Sequence, residues 1–434
     1  MRSFAVHNFG CRASQADGAA IEAQLSASGM CPASAGEADL VVLNTCTVTA
    51  LADEDARKAV HRAHRENPSA RILVTGCYAQ RAPGEIAVLP GVDWVVGNSH
   101  KTKIAEIVRD CVDYHGGIPA GTDVRVGDIF AQREFLSSPV EDAAGDRTRP
   151  NLKIQDGCNN RCSFCIIPFV RGRSRSAPAD QVVEQVRQLA LRYREVVLSG
   201  INLGRWGREA GGSLRLVDLI RRVLDETEVA RLRLSSVEPM DWSDELMELV
   251  AESPRIADHV HAPLQSGSDR VLRRMHRKYR PRHYEDRIRK ARAWMPDAAI
   301  GADVMVGFPG ETAAEFEESR AFIESLPFTY LHVFTYSERP GTPAADSADQ
   351  VPMPVRKERN RVLRDIGERK NLEFRRAMIG RTLPSVTLTE GALSGNFLKI
   401  ELASRRAANQ LLDVKIGALS ANGLREAGAF TVLG

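Results

Sequence analysis

Cys158, Cys162 and Cys165 fall within eight residues, in DGCNNRCSFC, and an arginine-rich run, VRGRSRS, follows closely. Structural zinc closes with four ligands, commonly two CxxC-like pairs. The spacing CxxxCxxC supplies three, and no fourth cysteine is near in sequence. His261 and His332 stand far along the chain and reach this set only through folding. A 4Fe-4S cluster held by three thiolates keeps one iron open to a substrate or cofactor, so three becomes a useful number. A second set is spread more widely: Cys11, Cys46 and Cys77 each end a short apolar run, in SFAVHNFGC, ADLVVLNTC and ARILVTGC, at separations of 35 and 31 residues. Ligands of open parallel sheets collect beyond the carboxyl ends of the strands, where three such cysteines converge. The competing reading is three buried, inert thiols, a common state of free cysteine. Cys31 and Cys111 belong to neither set and read as structural.

The elements that position these residues follow from periodicity. A chain of 434 residues exceeds what one core organises, so two or three domains are expected. In residues 1–115 the cysteine-ending runs alternate with helix-like stretches such as DEDARKAVHRAHRENP, which predicts an α/β domain with a parallel sheet. Residues 116–146 lose periodicity and read as a linker. Residues 147–376 carry six strand candidates, NLKIQ, EVVLSG, RLRLSS, DHVHAPL, AAIGADVMVGF and YLHVFTY, separated by helical stretches. This predicts a partial (β/α)6 barrel with its chemistry at the carboxyl ends of the strands. Residues 377–434 break into short runs, RTLPSVTLTEG, NFLKIELAS, QLLDVKIGALS and GAFTVLG, and predict a small OB-like β-barrel. The fold class is therefore α/β, multidomain.

Composition excludes other classes. An apolar fraction of 43% with 26% charged residues reads as globular. No run approaches the eighteen apolar residues of a membrane span, and the N-terminal stretch has no apolar signal region, so a cytoplasmic location without a membrane partner is expected. Eight cysteines without a secretory signal argue for metal binding over disulfides. The net charge is only +3, yet eleven Lys/Arg against two acids crowd the stretch from Arg270 to Arg292. That bunching suits a polyanion, or a solvated helix face.

CxxxCxxC opening a β/α barrel resembles the radical S-adenosylmethionine superfamily. The segments GCRASQADGA, NTCTVTALADEDARKAVHRA, VTGCYAQ, LSGINLGRWG, LSSVEP, HAPLQSGSDRVLRRMHRKY and VGFPGET resemble, in that order, those of its methylthiotransferases across nearly the whole chain. NTCTVT and KIQDGCNNRC look most like the branch acting on threonylcarbamoyladenosine at tRNA position 37. The resemblance implies that Cys158, Cys162 and Cys165 hold a radical-generating 4Fe-4S cluster, and that Cys11, Cys46 and Cys77 hold a second one that donates sulfur. It further implies S-adenosylmethionine as cofactor and the tRNA anticodon loop as partner. A low-potential electron donor such as flavodoxin or ferredoxin, and a sulfur source, are implied too. Ser14 stands where the family has Asn, and the C-terminal barrel, in the place of the family's TRAM domain, is short and weakly basic.

Strand ends supply the candidates for holding S-adenosylmethionine: Gly200 and Asn202 in LSGIN, Ser236 and Glu238 in SSVEP, Gln265 in PLQSGSD, and Gly307 and Gly310 in VGFPGET. Gly200 reads equally well as a plain strand-to-helix turn. For RNA phosphates the candidates are Arg171, Arg173 and Arg175 beside the cysteines, and Arg273, Arg274, Arg277 and Lys278 in the basic run. Phe169, Trp206, Tyr279 and Phe397 are candidates for base stacking. Two alternatives stand beside this reading: a methylthiotransferase for isopentenyladenosine in tRNA or a ribosomal-protein aspartate, and a non-enzymatic, zinc-stabilised RNA-binding protein.

Overall fold

The computed structural model describes residues 1–113, 121–136, 148–209 and 213–428. The first sheet contains β1 (Ser3–Asn8), β2 (Cys31–Pro32), β3 (Leu40–Thr45), β4 (Arg71–Gly76), β5 (Val92–Gly97) and β6 (Asp123–Arg125) in the order β2-β1-β3-β4-β5-β6, all parallel. Every residue of β3 is buried, as expected of a central parallel strand covered on both faces. The helix Ala50–Glu66 starts at Thr49, whose side chain accepts from the Ala52 amide at 3.2 Å. The stretch expected to link the domains contributes β6 to this sheet; only its flanks, 114–120 and 137–147, lie outside the described residues.

All six strands expected for the second unit are present. They are β7 (Asn151–Asp156), β9 (Glu195–Gly200), β10 (Arg231–Leu234), β11 (His259–His261), β12 (Ala299–Val306) and β13 (Tyr330–Thr335), with a short antiparallel β8 (Arg175–Ser176) beside β7. Ladders join β7-β9-β10 and β11-β12-β13, and a bridge from Leu232 to Ile256 connects the two groups. Alternate residues point opposite ways. Leu152, Ile154, Val196, Leu198, Leu232, Leu234, Ile300, Ala302 and Val304 pack into the core beneath the helices. The intervening positions, Lys153, Gln155, Glu195, Arg231, Arg233, His259, His261 and Asp303, therefore give the barrel a polar interior. Among the described residues β13 has no ladder with β7, so the barrel is partial. The helix Arg12–Ala27 lies near β7, where the Asn151 side-chain amide donates to the Arg12 carbonyl at 2.8 Å.

The long helix Met353–Ala377 leads to a closed five-stranded barrel of β14 (Thr382–Thr387), β15 (Ala392–Ser394), β16 (Lys399–Glu401), β17 (Leu411–Leu419) and β18 (Leu424–Glu426). The run GAFTVLG, expected as its last strand, lies almost wholly outside the described residues. Two buried arginines dock this barrel: Arg231 donates to the Pro384 carbonyl at 2.9 Å, and Arg233 to Gly395 and Ser394 at 3.0 Å. Glu195 is fully buried and binds both, at 2.7 and 2.8 Å. Burial alone would raise its pKa from 4.5, but Arg233 and Arg231 outweigh burial and hold it at about 2. A depressed carboxylate pKa contributes stability above its unfolded value and loses it as pH falls towards the folded value. Glu195→Gln should therefore destabilise the protein by about 3–5 kcal/mol at neutral pH, the cost of breaking a buried ion pair. The difference from wild type in urea unfolding should shrink between pH 5 and pH 2; a gap independent of pH would contradict this role.

Candidate functional site

β1, β3 and β4 are neighbours in the first sheet, and their carboxyl ends deliver Cys11, Cys46 and Cys77. Cys11 precedes the helix Arg12–Ala27, Cys46 follows β3 directly, and Cys77 begins the helix Cys77–Arg81. Gly10 has φ +97, and a Cβ there would lie 2.8 Å from the Cys46 sulfur, so only glycine lets the Cys11 loop pass this close. Burial pushes the Cys46 thiol up to about 12, and the neighbouring Cys77 and Cys11 push the same way. In the second set, burial first and then Cys162 raise Cys165 to about 12, and burial also raises Cys158. Such thiols stay protonated at neutral pH until a bound cation displaces the proton, which is how metal ligands behave.

Both sets fit an iron–sulfur cluster better than a single ion. Among the described residues, the one trio whose ligand atoms lie within 4.8 Å of one another is His261, Asp303 and His332. Each cysteine set supplies three thiols, whereas a closed tetrahedral zinc site takes four ligands. The cysteines are free thiols. Each set also has a side-chain amide beside it whose oxygen is buried and unpartnered. The Asn98 side chain donates to the Cys77 sulfur at 3.6 Å and that of Asn202 to the Cys158 sulfur at 3.6 Å, while both Oδ1 atoms lack a hydrogen-bond partner.

The two sets face each other across the domain boundary. Cys77 packs with Ile166 and Val170, on the short helical turn that follows Cys165. Beneath this seam lies a buried charge network. Arg171 is 2% exposed and donates to Asp17 at 3.0 Å, Asp156 at 2.9 Å and the Ser14 hydroxyl at 3.3 Å. Lys153 binds Asp17 and Asp156, and Lys101 binds Asp17 at 3.0 Å. Arg175 also approaches Asp156, at 3.8 Å, so four cations against two carboxylates leave the network net positive beside Cys11 and Cys77. Ser14 bridges Arg171 to the Cys11 sulfur, 3.7 Å from its hydroxyl. Across the same boundary Arg339 reaches Asp53 at 2.7 Å and the Thr47 carbonyl at 3.0 Å, clamping the loop after Cys46. Arg171→Met should cost about 3 kcal/mol in chemical denaturation, because it leaves buried carboxylates short of a partner. Arg173→Met, at an exposed position, should stay within about 0.5 kcal/mol. Equal effects from the two variants would contradict this division.

The candidate residues separate into distinct places. Asn202 and Glu238 stand at the CxxxCxxC set: the Asn202 backbone N–H donates to the Gln155 side-chain oxygen at 2.6 Å, and Glu238 pairs with Arg277, which donates to the Cys162 sulfur at 3.2 Å. Ser236 is exposed near the end of β10. Gly200 serves close packing, since a Cβ there would lie 2.9 Å from that of Gln155. The Gln265 backbone pairs with β12. The amides of Gly307 and Gly310 are committed to Glu311 and to the Asp349 carbonyl, both at 2.7 Å.

Among the basic candidates, Arg171 and Arg277 are buried and paired, which removes them from any phosphate-binding surface. Arg175 donates to the Arg171 and Arg173 carbonyls, Arg274 pairs with Glu315 at 2.8 Å, and Arg273 pairs with Asp269 at 2.8 Å on the surface. Arg173 and Lys278 are exposed. Trp206 and Tyr279 are buried in the core, while Phe397 stacks on His259 at 4.5 Å; Phe169 is exposed and meets Phe130 edge to face. A cavity of about 260 Å³ opens on Cys158 and is lined by Phe130, Asn159, Arg161, Pro168 and Arg173. A smaller one of about 130 Å³ brings Asn202, Arg205, Arg208 and Lys278 together. Arg161, between the cysteines of CNNRC, was legible by position; nothing local in the sequence marks Phe130.

Comparison with known proteins agrees with this geometry. Residues 152–323 match the radical SAM superfamily, and residues 3–97 match the uncharacterized protein family UPF0004. The chain is 41% identical over 362 residues to the threonylcarbamoyladenosine tRNA methylthiotransferase MtaB of Bacillus subtilis, covering 83% of this chain and 79% of the relative. It is 36% identical to the protein of the same name from Aquifex aeolicus, covering 87% and 91%. A tRNA-2-methylthio-N(6)-dimethylallyladenosine synthase from Novosphingobium aromaticivorans is 34% identical, covering 92% and 89%. In fold, the radical S-adenosylmethionine methyltransferase TsrM from Kitasatospora setae superimposes with a TM-score of 0.59 at 16% identity, covering 80% of this chain and 77% of that one. With two open cysteine trios, a partial barrel and this likeness across most of its length, the chain belongs to the methylthiotransferase family of radical SAM enzymes.

Proposed function

We propose that this protein is a tRNA methylthiotransferase that converts N6-threonylcarbamoyladenosine at position 37 to its 2-methylthio derivative. The observation that carries this reading is the meeting of two separate three-thiol sets through Cys77, Ile166 and Val170. The adenine C2–H bond is neither acidic nor attached to a leaving group, so acid-base or nucleophilic chemistry by side chains has no handle on it. Bound clusters and S-adenosylmethionine supply what the side chains lack, a carbon radical and a transferable methylthio group. The chain's own contribution is placement and charge. Cys158, Cys162 and Cys165 hold the radical-generating cluster, with Asn202 beside Cys158 and Arg277 beside Cys162. Cys11, Cys46 and Cys77 hold the sulfur-donating cluster, over the net positive charge that Arg171 shares with Lys101 and Lys153. The cavity at Cys158 gives the target base a way in, between Phe130 and the guanidinium groups of Arg161 and Arg173. Electrons come from a low-potential donor of the flavodoxin or ferredoxin kind, and replacement sulfur comes from a separate source.

Among the described residues no helix is long and apolar enough to cross a membrane. The substrate assignment follows the names of the relatives, and nucleoside analysis of tRNA from cells lacking the protein tests it. Loss of the methylthio group from threonylcarbamoyladenosine is expected; loss from dimethylallyladenosine instead would redirect the substrate. A charge test follows from the exposed residues: neutralising Arg161, Arg173 and Lys278 together should weaken tRNA binding. Each lost phosphate contact should lower the slope of log affinity against log salt by about 0.7–0.9. An unchanged slope would return these residues to a solvated surface.

A further inference from the structure

His261, Asp303 and His332 come from three adjacent barrel strands, β11, β12 and β13, and the cluster ligands do not include them. In the ladders His261 pairs with Gly301, two residues before Asp303, and Asp303 pairs with His332, so all three positions share the face that lines the polar interior. His261 Nε2 and His332 Nδ1 approach the same carboxylate oxygen, Asp303 Oδ1, at 3.1 and 3.2 Å. The three ligand atoms lie within 4.8 Å of one another. The His261 side chain is 6% exposed, and its Nε2 makes no regular hydrogen bond although Asp303 Oδ1 lies 3.1 Å away. The other ring nitrogen is held: His261 Nδ1 lies 2.8 Å from the Tyr330 hydroxyl, which also contacts His259 Nε2 at 2.7 Å. In the tautomer that carries its proton on Nδ1 and donates it to Tyr330, His261 presents a lone pair from Nε2, the arrangement that orients metal-bound imidazoles. Two imidazoles and a carboxylate suit a divalent transition ion and leave further positions open for oxygen ligands. The His332 side chain is 52% exposed and that of Asp303 24%, so an ion has an approach from solvent.

We infer that His261, Asp303 and His332 form a third metal site, a mononuclear centre for a divalent transition-metal ion inside the barrel. Tyr330 is its positioning residue. The site sits next to the docked C-terminal barrel, since His259 stacks on Phe397 at 4.5 Å and Tyr330 lies 5.7 Å from the same ring. An ion here would join three strands beneath that contact.

The test uses the full chain with both clusters loaded, stripped of loosely held metal, incubated with Zn2+ and desalted. Zinc and iron are then measured by mass spectrometry. One zinc per chain is expected, with iron unchanged. His332→Ala, at a half-exposed position that tolerates truncation, and Asp303→Asn should each abolish retention. Tyr330→Phe should weaken binding by about 10–100-fold, as loss of an outer-shell partner does. Zinc retained equally by wild type, His332→Ala and Asp303→Asn, zinc gained only as iron is lost, or no zinc in wild type would each overturn the inference.

Discussion

A Cys162→Ala variant is expected to form no 5'-deoxyadenosine from S-adenosylmethionine under reducing conditions, while remaining folded. The thiolate has no replacement: Cys158 and Cys165 are the other ligands of the same set, Cys31 is exposed on an edge strand, and Cys11, Cys46 and Cys77 form the separate set. The fold should survive because Cys162 is only half-buried and Arg277, its neighbour, keeps Glu238 as a partner. Iron should fall to about half, as one of two equal clusters is lost. Cys31→Ala should leave both iron and cleavage unchanged. Undiminished 5'-deoxyadenosine formation by Cys162→Ala would remove the CxxxCxxC set from the radical chemistry.

Much of this architecture was legible in the sequence because it rests on local signals. Apolar runs ending in cysteine and the alternation of strand and helix located β1, β3, β4 and all six barrel strands. The three-thiol count favoured an open cluster over a closed zinc site. What stayed hidden depends on distant partners. Arg171 sits in an arginine-rich run that reads as a phosphate-binding tail, but Asp17, 154 residues earlier, draws it into the domain seam. Arg277 belongs to a basic stretch of eleven cations, yet Glu238 and the Cys162 sulfur claim it. Charge density along a sequence does not reveal which side chains fold inward. Nor did the separation of His261 from Asp303 and His332 suggest a shared site, because the strands that align them are joined only in the folded barrel. Phe397, a candidate for base stacking, was taken instead by His259.

The separation of the two cysteine sets leads to the second large effect. The first domain has its own cores, one around Val41, Leu43 and Val74 and another around Phe4, Ile21 and Trp94, so replacing its cysteines should leave the barrel intact. In the triple variant Cys11→Ala, Cys46→Ala, Cys77→Ala, methylthio transfer to tRNA should be lost while radical generation persists. The mutual approach of Cys77 and the Ile166–Val170 turn makes the two cysteine sets neighbours without making the residues of one set depend on those of the other. The decisive measurement is made on this triple variant with tRNA carrying threonylcarbamoyladenosine: iron content, 5'-deoxyadenosine and methylthiolated nucleoside determined on the same sample. The account predicts about half the iron, continued 5'-deoxyadenosine formation and no methylthiolated nucleoside. Methylthiolation by the triple variant, or iron equal to that of the wild type, would contradict the assignment of sulfur donation to Cys11, Cys46 and Cys77.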